Sequence, residues 1–307
     1  MAESNIEKQL AIIIPAYKPN YLRQTLESIA AQTDKRFHLY IGNDCSPYDL
    51  KSIVDDFTDK IDLTYKRFET NLGGKDLVAQ WERCIDLSKE EPYIWLFSDD
   101  DMMSPNCVEK FYQQIKANPD CDILHFNVNV IDKDSNVIKK TVYPEFVSAK
   151  DLYIGKLKYT LDCYVVEFIF KREVYDKCKG FVKFDLAWGS DLATWVKFAE
   201  NSGVQTVKDA TVNWRSSGIN ISTTVDIKTL QRKADALVEF LKWGEQMFPE
   251  SEIHRMNSKA LIQRLANMNG PKFAAPYIDK YARNKFESLA MRTFCASYYN
   301  LKTLLKK

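Results

Sequence analysis

The sequence predicts an α/β fold with a mostly parallel sheet flanked by helices. Short, strongly apolar runs such as 10–15 alternate with segments whose apolar residues recur at helical spacing. The turn-rich segments PAYKP, GNDCSP and SDDD each directly follow one of these runs. With 45% hydrophobic and 28% charged residues, the 307-residue chain can bury a large core.

The alternation is clearest in the first 130 residues. The Ile-rich run 10–15 predicts a strand buried on both faces, because it contains no polar alternation. Leu22, Leu26 and Ile29 follow at the spacing of one helix face. The pattern then predicts strands at 37–42, 61–68, 93–97 and 122–131, and helices at 49–57, at 77–88 and after an N-cap at Ser104 with Pro105 in the first position.

The second part of the chain has a different pattern. Residues 145–225 alternate less regularly, and apolar residues recur about every 3.6 positions from 227 to 248. Two further helices are predicted near 255–268 and 274–306. We therefore predict one α/β domain over 1–225 and a helical C-terminal region over 226–307.

Composition excludes several classes of protein. Lys and Arg total 43 against 42 Asp and Glu, so no global charge favours nucleic acid. Seven scattered cysteines without a C-x-x-C pair predict reduced thiols, not disulfides or a zinc site. The N-terminus lacks a secretory pattern, and no apolar run reaches bilayer length, so we expect a cytoplasmic protein.

Three consecutive aspartates, Asp99, Asp100 and Asp101, directly follow the strand predicted at 93–97. Two such charges about 4 Å apart repel by roughly 4 kcal/mol at an effective dielectric of 20. Asp44 follows another predicted strand, and parallel strands bring ligands to the edge where their carboxyl ends meet. Carboxylates there can hold a divalent cation that binds a diphosphate. The alternative is a solvated acidic turn.

The ordered segments IIIPAYKPNYLRQTLESIAAQT, FHLYIGNDCSP, NLGG and YIWLFSDDDMMSP resemble the inverting family-2 glycosyltransferases, of the bacterial surface-polysaccharide type. The resemblance covers about 8–222. It implies the GT-A (nucleotide-diphospho-sugar transferase) fold, with a nucleotide-binding half at 8–130 and an acceptor half at 131–225. It also implies sugar transfer from a nucleoside-diphosphate sugar, with a UDP-sugar favoured, to a hydroxyl of a glycan or lipid-linked acceptor, aided by Mn²⁺ or Mg²⁺.

The resemblance assigns roles to residues at the strand ends. Two positions depart from the common family pattern, since Asn43 and Ser98 stand where aspartates are usual. The second departure leaves Asp100 as the main metal ligand. The implied roles are a base pocket lined by Pro15, Ala16 and Tyr17, a base contact from Asp44, a ribose contact from Asp99, and a metal site at Asp100 with Asp101 beside it.

The catalytic base is predicted in the acceptor half. The segment GFVKFDLAWGSDLATWVKFA resembles the family segment in which an acidic residue precedes an apolar helix. An inverting transfer needs a carboxylate to deprotonate the acceptor hydroxyl, and Asp191 is assigned this role. Asp185 is the alternative base. Asp191 could instead serve only as the N-cap of a helix over 192–200.

Three further residues have weaker assignments. Trp188 is predicted to stack on a sugar ring or to pack in the core, and Lys75 to reach a phosphate or to be solvated. Arg215, in WRSSGINIS, is predicted to neutralise the departing diphosphate or to lie on the surface. In that segment Ser217 replaces the usual histidine, while two further positions match the family pattern, Asn220 and Ser222.

Two rival functions remain open from the sequence. A nucleotidyltransferase also uses strand-end aspartates and a metal, but it would normally have a Gly-rich basic loop where this chain has PAYKPN. A binding module that has lost catalysis is the second rival. It is favoured by Ser98, Asn43 and Ser217, and disfavoured by the intact aspartates.

The end of the chain is basic and amphipathic. Residues 280–307 carry seven Lys or Arg against one acidic residue, Glu287, with large apolar residues interleaved. One interpretation is peripheral contact with an anionic membrane, near a lipid-linked acceptor. The alternative is a helix packed on the catalytic domain with a solvated basic face.

Overall fold

Ten strands form one mixed sheet in the computed structural model, which describes residues 8–216, 218 and 226–305. Their order across the sheet is β3-β2-β1-β4-β9-β6-β10-β5, with β7 added to β6 and β8 to β10. The strands are β1 Leu10–Ala16, β2 Phe37–Asn43, β3 Leu63–Arg67, β4 Tyr93–Leu96, β5 Met102–Met103, β6 Ile123–Ile131, β7 Val137–Thr141, β8 Phe146–Val147, β9 Phe168–Lys171 and β10 Val204–Arg215.

The six strands β1, β2, β3, β4, β6 and β10 run in one direction, and β9 is antiparallel to both of its neighbours. The carboxyl ends of β1, β2 and β4 therefore meet at one edge, as the sequence predicts. The mostly parallel, helix-flanked sheet is confirmed.

Helices follow most strands and cover both faces of the sheet. They are α1 Leu22–Ala30, α2 Leu50–Asp55, α3 Leu77–Ile85, α4 Cys107–Ala117, α5 Ala149–Leu157, α6 Arg172–Lys177, α7 Ser190–Phe198, α8 Ile227–Met247, α9 Ser251–Tyr281 and α10 Lys285–Leu304, with a short 3₁₀ helix at Asp185–Ala187. No helix in the described ranges has the length and apolar character needed to cross a bilayer.

Two hydrophobic clusters pack on opposite faces of the sheet. Alternate residues of β1 enter different clusters: Ile12 faces the cluster built with α1, α2 and α4, whereas Ile13 faces the one built with α3 and α7. This alternation explains why the run 10–15 is apolar throughout. The second cluster also contains Leu237 of α8 and Leu261 of α9, so the C-terminal helices share the core of the sheet.

Several predicted boundaries were wrong. Helix α4 begins at Cys107 after Asn106, not after Ser104, whose hydroxyl instead accepts the N–H of Thr211. The helix predicted over 274–306 is interrupted at 282–284, where Asn284 caps α10 by accepting the N–H of Glu287. Within α9 the helical dihedrals break at Asn269 and at Gly270, whose φ of 77° favours glycine.

Candidate functional site

The loops that follow β1, β2 and β4 are joined by hydrogen bonds. The Asp99 carboxylate accepts the backbone N–H groups of Tyr17 (2.7 Å) and Lys18 (2.8 Å) through one oxygen, Oδ2. The N–H of Asp44 donates to the carbonyl of Ala16 at 2.9 Å, and the hydroxyl of Ser46 donates to Tyr17 at 2.6 Å. The structure thus brings the three turn-rich segments to one edge of the sheet.

Asp99 and Asp100 each keep one oxygen to which no group in the described residues donates. For Asp99 this is Oδ1, since Oδ2 takes both N–H groups. For Asp100 it is Oδ2, because the Ser98 hydroxyl lies 3.0 Å from Oδ1. Burial and the charge of Asp100 raise the pKa of Asp99 to about 6, while burial raises the pKa of Asp100. Both side chains are half-buried, so a ligand can reach them.

Asp101 belongs to the scaffold of the loop, and its assignment to the metal stays a prediction that its hydrogen bonds do not favour. It is 2% exposed, and both of its oxygens are occupied: Oδ1 by the N–H of Arg215 at 2.6 Å, and Oδ2 by the Ser98 hydroxyl at 2.5 Å. Burial and the neighbouring charge of Asp100 raise the pKa of Asp101 well above its usual range. A cation could bind there only by displacing these partners.

Arg215 is neither a surface arginine nor free to meet a diphosphate. Its side chain is fully buried and lies 4.1 Å from the Tyr21 ring centroid. The guanidinium donates to oxygens on three segments: the Asp100 carbonyl (2.8 Å), the Asp132 carbonyl (3.1 Å), Ser135 Oγ (3.0 Å) and Gln24 Oε1 (2.8 Å). Arg215 therefore holds in place residues 98–101, which we call the carboxylate loop, through its contacts with Asp100 and Asp101. Ser217, Asn220 and Ser222 lie outside the described residues.

Asp44 is held in the same way by groups of the protein, and its contact with the base stays a prediction. It is 4% exposed and accepts the N–H groups of Leu72 (2.7 Å) and Gly73 (2.8 Å). Asn71 and Arg83 donate to the same carboxylate. Asp44 thereby anchors the NLGG loop, and Arg83 is a partner that the sequence pattern did not identify.

Asp191 lies in the first turn of α7, two residues after Gly189, which is the actual N-cap. No side chain in the described residues donates to its carboxylate. Burial raises the pKa of Asp191, although the backbone N–H of Leu192 and the charge of Lys156 oppose the shift. A half-buried carboxylate with a raised pKa is suited to take up a proton.

Asp185, the alternative base, is in a contrasting state. Arg232 donates to both of its oxygens, at 2.6 and 2.7 Å, and this hydrogen bonding lowers the pKa of Asp185. A carboxylate held ionised by an arginine is a poor proton acceptor. The geometry therefore favours Asp191 over Asp185.

Comparison with known proteins fits this arrangement. The family model of glycosyl transferase family 2 matches residues 11–179, more than half of the chain. The chain belongs to glycosyl transferase family 2.

Two relatives illustrate the range of the family. The chain is 27% identical over 136 residues to an uncharacterized glycosyltransferase of Methanocaldococcus jannaschii, covering 43% of this chain and 45% of the relative. It is 33% identical over 110 residues to one of Rickettsia typhi, covering 36% and 32%. The matches thus span half or less of the length of these curated relatives.

Solved structures show the fold of this family-2 chain. TarS 1-349 of S. aureus, crystallised with UDP-GlcNAc, superposes with a TM-score of 0.61 at 14% identity and covers 96% of this chain and 92% of its own. The mannosyltransferase PcManGT of Pyrobaculum calidifontis, in complex with GDP-Man and Mn²⁺, gives 0.54 at 15% identity, with 97% and 84% covered. The GT-A fold expected from the sequence is confirmed.

The other predicted residues of this family-2 chain are divided between the edge and the core. Tyr17 is 39% exposed at the end of β1, but Ala16 is fully buried and only its carbonyl reaches the loops. Pro15 lies within β1, opposite Gly42 of β2. Their contact with a base stays a prediction for Pro15 and Tyr17, and is limited to the backbone for Ala16.

Trp188 and Lys75 occupy different surroundings. Trp188 is half-buried against the core, and the Lys233 ammonium lies 4.7 Å from its ring centroid. Lys75 is exposed in the NLGG loop, where its N–H donates to the Leu72 carbonyl at 2.9 Å. Sugar stacking by Trp188 and phosphate contact by Lys75 both stay predictions.

A stacked aromatic pair that the sequence analysis missed connects the two acidic regions. The rings of Tyr164 and Trp214 lie 4.4 Å apart at 25°, and both are half-buried. Trp214 precedes Arg215, which holds the carboxylate loop, while the Tyr164 carbonyl accepts the indole N–H of Trp195 in α7 at 3.3 Å. The residues are 50 positions apart in the chain, so no local pattern could reveal the contact.

A metal ion would need carboxylate oxygens that are not already occupied by hydrogen-bond donors. The described residues contain no cluster of three or more His, Cys, Asp or Glu arranged to bind a metal ion. Mg²⁺ and similar cations, however, often use one or two carboxylates and complete their shell with substrate phosphates and water. The oxygen of Asp100 that accepts no hydrogen bond from the described residues fits such a shared site.

Proposed function

We propose that this family-2 chain is an inverting glycosyltransferase. It would transfer one sugar from a nucleoside-diphosphate sugar, with a UDP-sugar favoured, to a hydroxyl of a growing glycan or lipid-linked acceptor. The observation that carries the proposal is the state of Asp191, a half-buried carboxylate with a raised pKa and no side-chain donor among the described residues. It is connected to the carboxylate loop through the Tyr164–Trp214 stack.

The donor side of the proposal rests on the edge formed by the loops after β1, β2 and β4. The free oxygen of Asp99 can accept a ribose hydroxyl, and Tyr17 is exposed beside it. The complexes of TarS with UDP-GlcNAc and of PcManGT with GDP-Man and Mn²⁺ support a nucleotide-sugar donor. A divalent cation held by Asp100 would neutralise charge on the departing diphosphate.

The reaction assigns each proton and bond to a group. The acceptor oxygen attacks the anomeric carbon from the face opposite the nucleotide, and Asp191 takes the hydroxyl proton. The bond between the anomeric carbon and the phosphate oxygen breaks, and its electron pair leaves with the nucleoside diphosphate. Because a single displacement occurs, the configuration at the anomeric carbon is inverted.

A cytoplasmic location forms part of the proposal. All seven cysteines are unpaired in the structure, including the buried Cys84 and Cys107. Burial raises the pKa of both thiols to about 12, so they stay protonated and unreactive. Free thiols in this number are typical of a reducing compartment.

Titration calorimetry tests the donor site. UDP, GDP and dTDP are each titrated, with and without Mn²⁺, into the wild type and into Asp100→Ala. We expect one nucleotide to bind to the wild type, with Mn²⁺ strengthening its binding, and the variant to lose this gain. Absence of binding for all three nucleotides would refute the proposal.

Product analysis then separates transfer from binding alone. The nucleotide that binds identifies the donor class, and the matching radiolabelled sugar donor is offered to candidate acceptors. Release of the nucleoside diphosphate with an inverted linkage is the expected result. Binding without any turnover, even hydrolysis of the donor, would instead favour a binding module.

A further inference from the structure

The last helix presents two apolar faces, only one of which is covered. On its inner side α10 packs on α9 through Met291 and Cys295, which are 6% and 1% exposed. On its outer side lie six large apolar residues that are at least half exposed: Phe286 (87%), Leu289 (66%), Phe294 (50%), Leu301 (60%), Leu304 (69%) and Leu305 (80%). We call these six residues the outer face of α10.

The outer face is a stripe along one side of the helix, interrupted between Phe294 and Leu301 by the polar residues Ser297 and Asn300. At 100° per residue its members fall within an arc of about 160°, and Met291 and Cys295 lie outside that arc. From Phe286 to Leu305 the stripe runs for about 28 Å along the helix axis. Single exposed leucines are common on soluble proteins, but six large apolar residues on one helix mark an interaction surface.

The helix is firmly attached while it exposes this stripe. His254 of α9 lies between the carboxylates of Glu245 in α8 and Glu287 in α10. Arg292 forms an ion pair with Asp279 of α9, and Lys302 donates to Asn267. The outer face is therefore presented by a helix packed on α9, as one of the two interpretations of the sequence has it, but the exposed side of this helix is apolar.

Charge decides which partner fits the stripe. Residues 288–307 contain no Asp or Glu but four basic residues: Arg292 and Lys302, which contact α9, and Lys306 and Lys307, which follow Leu305 in the sequence. The acidic group at the start of the helix, Glu287, is turned toward His254 and the N–H of Arg283. The last two lysines lie outside the described residues and enter only through their charge.

An apolar stripe on a basic helix matches an anionic bilayer surface. Anionic lipid headgroups attract the net positive charge of this segment, while the acyl boundary covers Phe286, Leu289 and Leu304. A second copy of the chain fits less well, because pairing two outer faces would bring two like-charged helices together. We propose that the outer face of α10 docks the protein on an anionic lipid bilayer, with the helix lying in the plane of the interface.

Vesicle co-sedimentation of the full chain tests the proposal. The wild type is mixed with vesicles of phosphatidylcholine, alone or combined with phosphatidylglycerol. The Leu301→Glu/Leu304→Glu variant removes apolar contact and adds repulsion. The control, Ile138→Glu/Val142→Glu, changes two apolar residues that are 61% and 75% exposed at β7, away from α10.

We expect the wild type and the control to bind the mixed vesicles and the α10 variant to bind at least tenfold more weakly. Binding should also fall without phosphatidylglycerol or at high salt. Wild type that binds neither vesicle, or equal losses in both variants, would overturn the proposal. So would a wild-type dimer that becomes monomeric in the α10 variant without any change in vesicle binding.

The proposal is independent of the sugar-transfer reaction. Nucleotide binding is measured by calorimetry on the same protein samples, and it reports folding of the sheet in each variant. Vesicle binding without nucleotide binding would leave the docking surface standing and refute the proposed function. Nucleotide binding without vesicle binding would refute the docking surface and leave the proposed function standing.

Discussion

The carboxylate loop at 98–101 and the segment 185–191 are both acidic, but each contains one carboxylate that protein groups hold and one that they leave available. In the loop, Asp101 is held by Arg215 and Ser98, whereas one oxygen of Asp100 accepts no hydrogen bond from the part of the chain that the structure describes. In the segment, Arg232 holds Asp185, and no side chain within the same ranges donates to Asp191.

The held and the available carboxylates have different consequences for stability and for binding. A carboxylate whose lone pairs are filled by protein donors contributes to stability and is not available to substrate. A carboxylate that is partly buried without such donors costs free energy in the folded state. The proposed function therefore assigns Asp100 to the metal and Asp191 to the acceptor hydroxyl.

The largest effect is expected for Asp191→Asn. Loss of a general base typically lowers the rate by 10²–10⁴, so we expect about a thousandfold loss of transfer, roughly 4 kcal/mol. Nucleotide affinity should be unchanged, because Asp191 lies outside the donor edge. Single-turnover assays and calorimetry measure the two quantities. Full activity in this variant would remove Asp191 as the base.

Ionisation of Asp191 gives this prediction a pH dependence. The base works only when deprotonated, and burial raises its pKa. The rate at low substrate concentration should therefore rise with pH through a midpoint above that of an ordinary aspartate. The rising limb should be absent from the residual activity of Asp191→Asn.

The next largest effect is expected on the stability of Asp101→Ala, with Asp100→Ala as its comparison. Asp101→Ala leaves the N–H of Arg215 without its acceptor, so we expect about 1–3 kcal/mol loss in the free energy of unfolding. Asp100→Ala should leave this free energy almost unchanged but remove the Mn²⁺-dependent gain in nucleotide binding. Urea denaturation and calorimetry on both variants provide the test. If Asp100→Ala instead lost stability and Asp101→Ala lost the Mn²⁺-dependent gain, Asp101 would be the available carboxylate and Asp100 the held one.

Glu167 combines both states in one side chain and sharpens the comparison. Its Oε1 accepts the N–H of Tyr164 at 2.7 Å and the Tyr143 hydroxyl at 3.3 Å, while the buried Oε2 has no partner. Burial raises the pKa of Glu167 to about 7 from 4.5. The folded state therefore keeps a proton that the unfolded state releases, and this stabilisation is lost as pH rises through 7.

Because the glutamine side chain does not titrate, Glu167→Gln should lack this pH-dependent stabilisation. Between about pH 4.5 and 8, the free energy of unfolding should fall by about 2–3 kcal/mol more in the wild type than in the variant. Urea denaturation over this range measures the difference. Parallel pH profiles would show that folding does not raise the pKa of Glu167.

The smallest effect is expected for Asp185→Asn. The ion pair with Arg232 is about half exposed, and such pairs contribute about 0–1 kcal/mol. Transfer should stay within about threefold of the wild type, because the held carboxylate takes no part in the reaction. A loss that equals the loss in Asp191→Asn would make Asp185 the base.

The sequence alone determined the fold class and the edge of the sheet that holds the site. Strand and helix patterns are local, and β1 to β4 follow each other with short connections, so the shared edge of Tyr17, Asn43 and Asp99 was predictable. The boundaries of the helices and strands were less predictable. The two-residue strand β5 depends on pairing with β10, over 100 residues away.

The tertiary structure decided which carboxylates are available. Asp100 and Asp101 are chemically identical neighbours in the sequence, and the partner that distinguishes them, Arg215, lies 114 residues beyond Asp101. Likewise Asp185 is distinguished from Asp191 by Arg232, 47 residues along the chain. A pattern of residue types shows where acidic groups are, but hydrogen bonds from distant segments determine which of their oxygens remain free for a ligand.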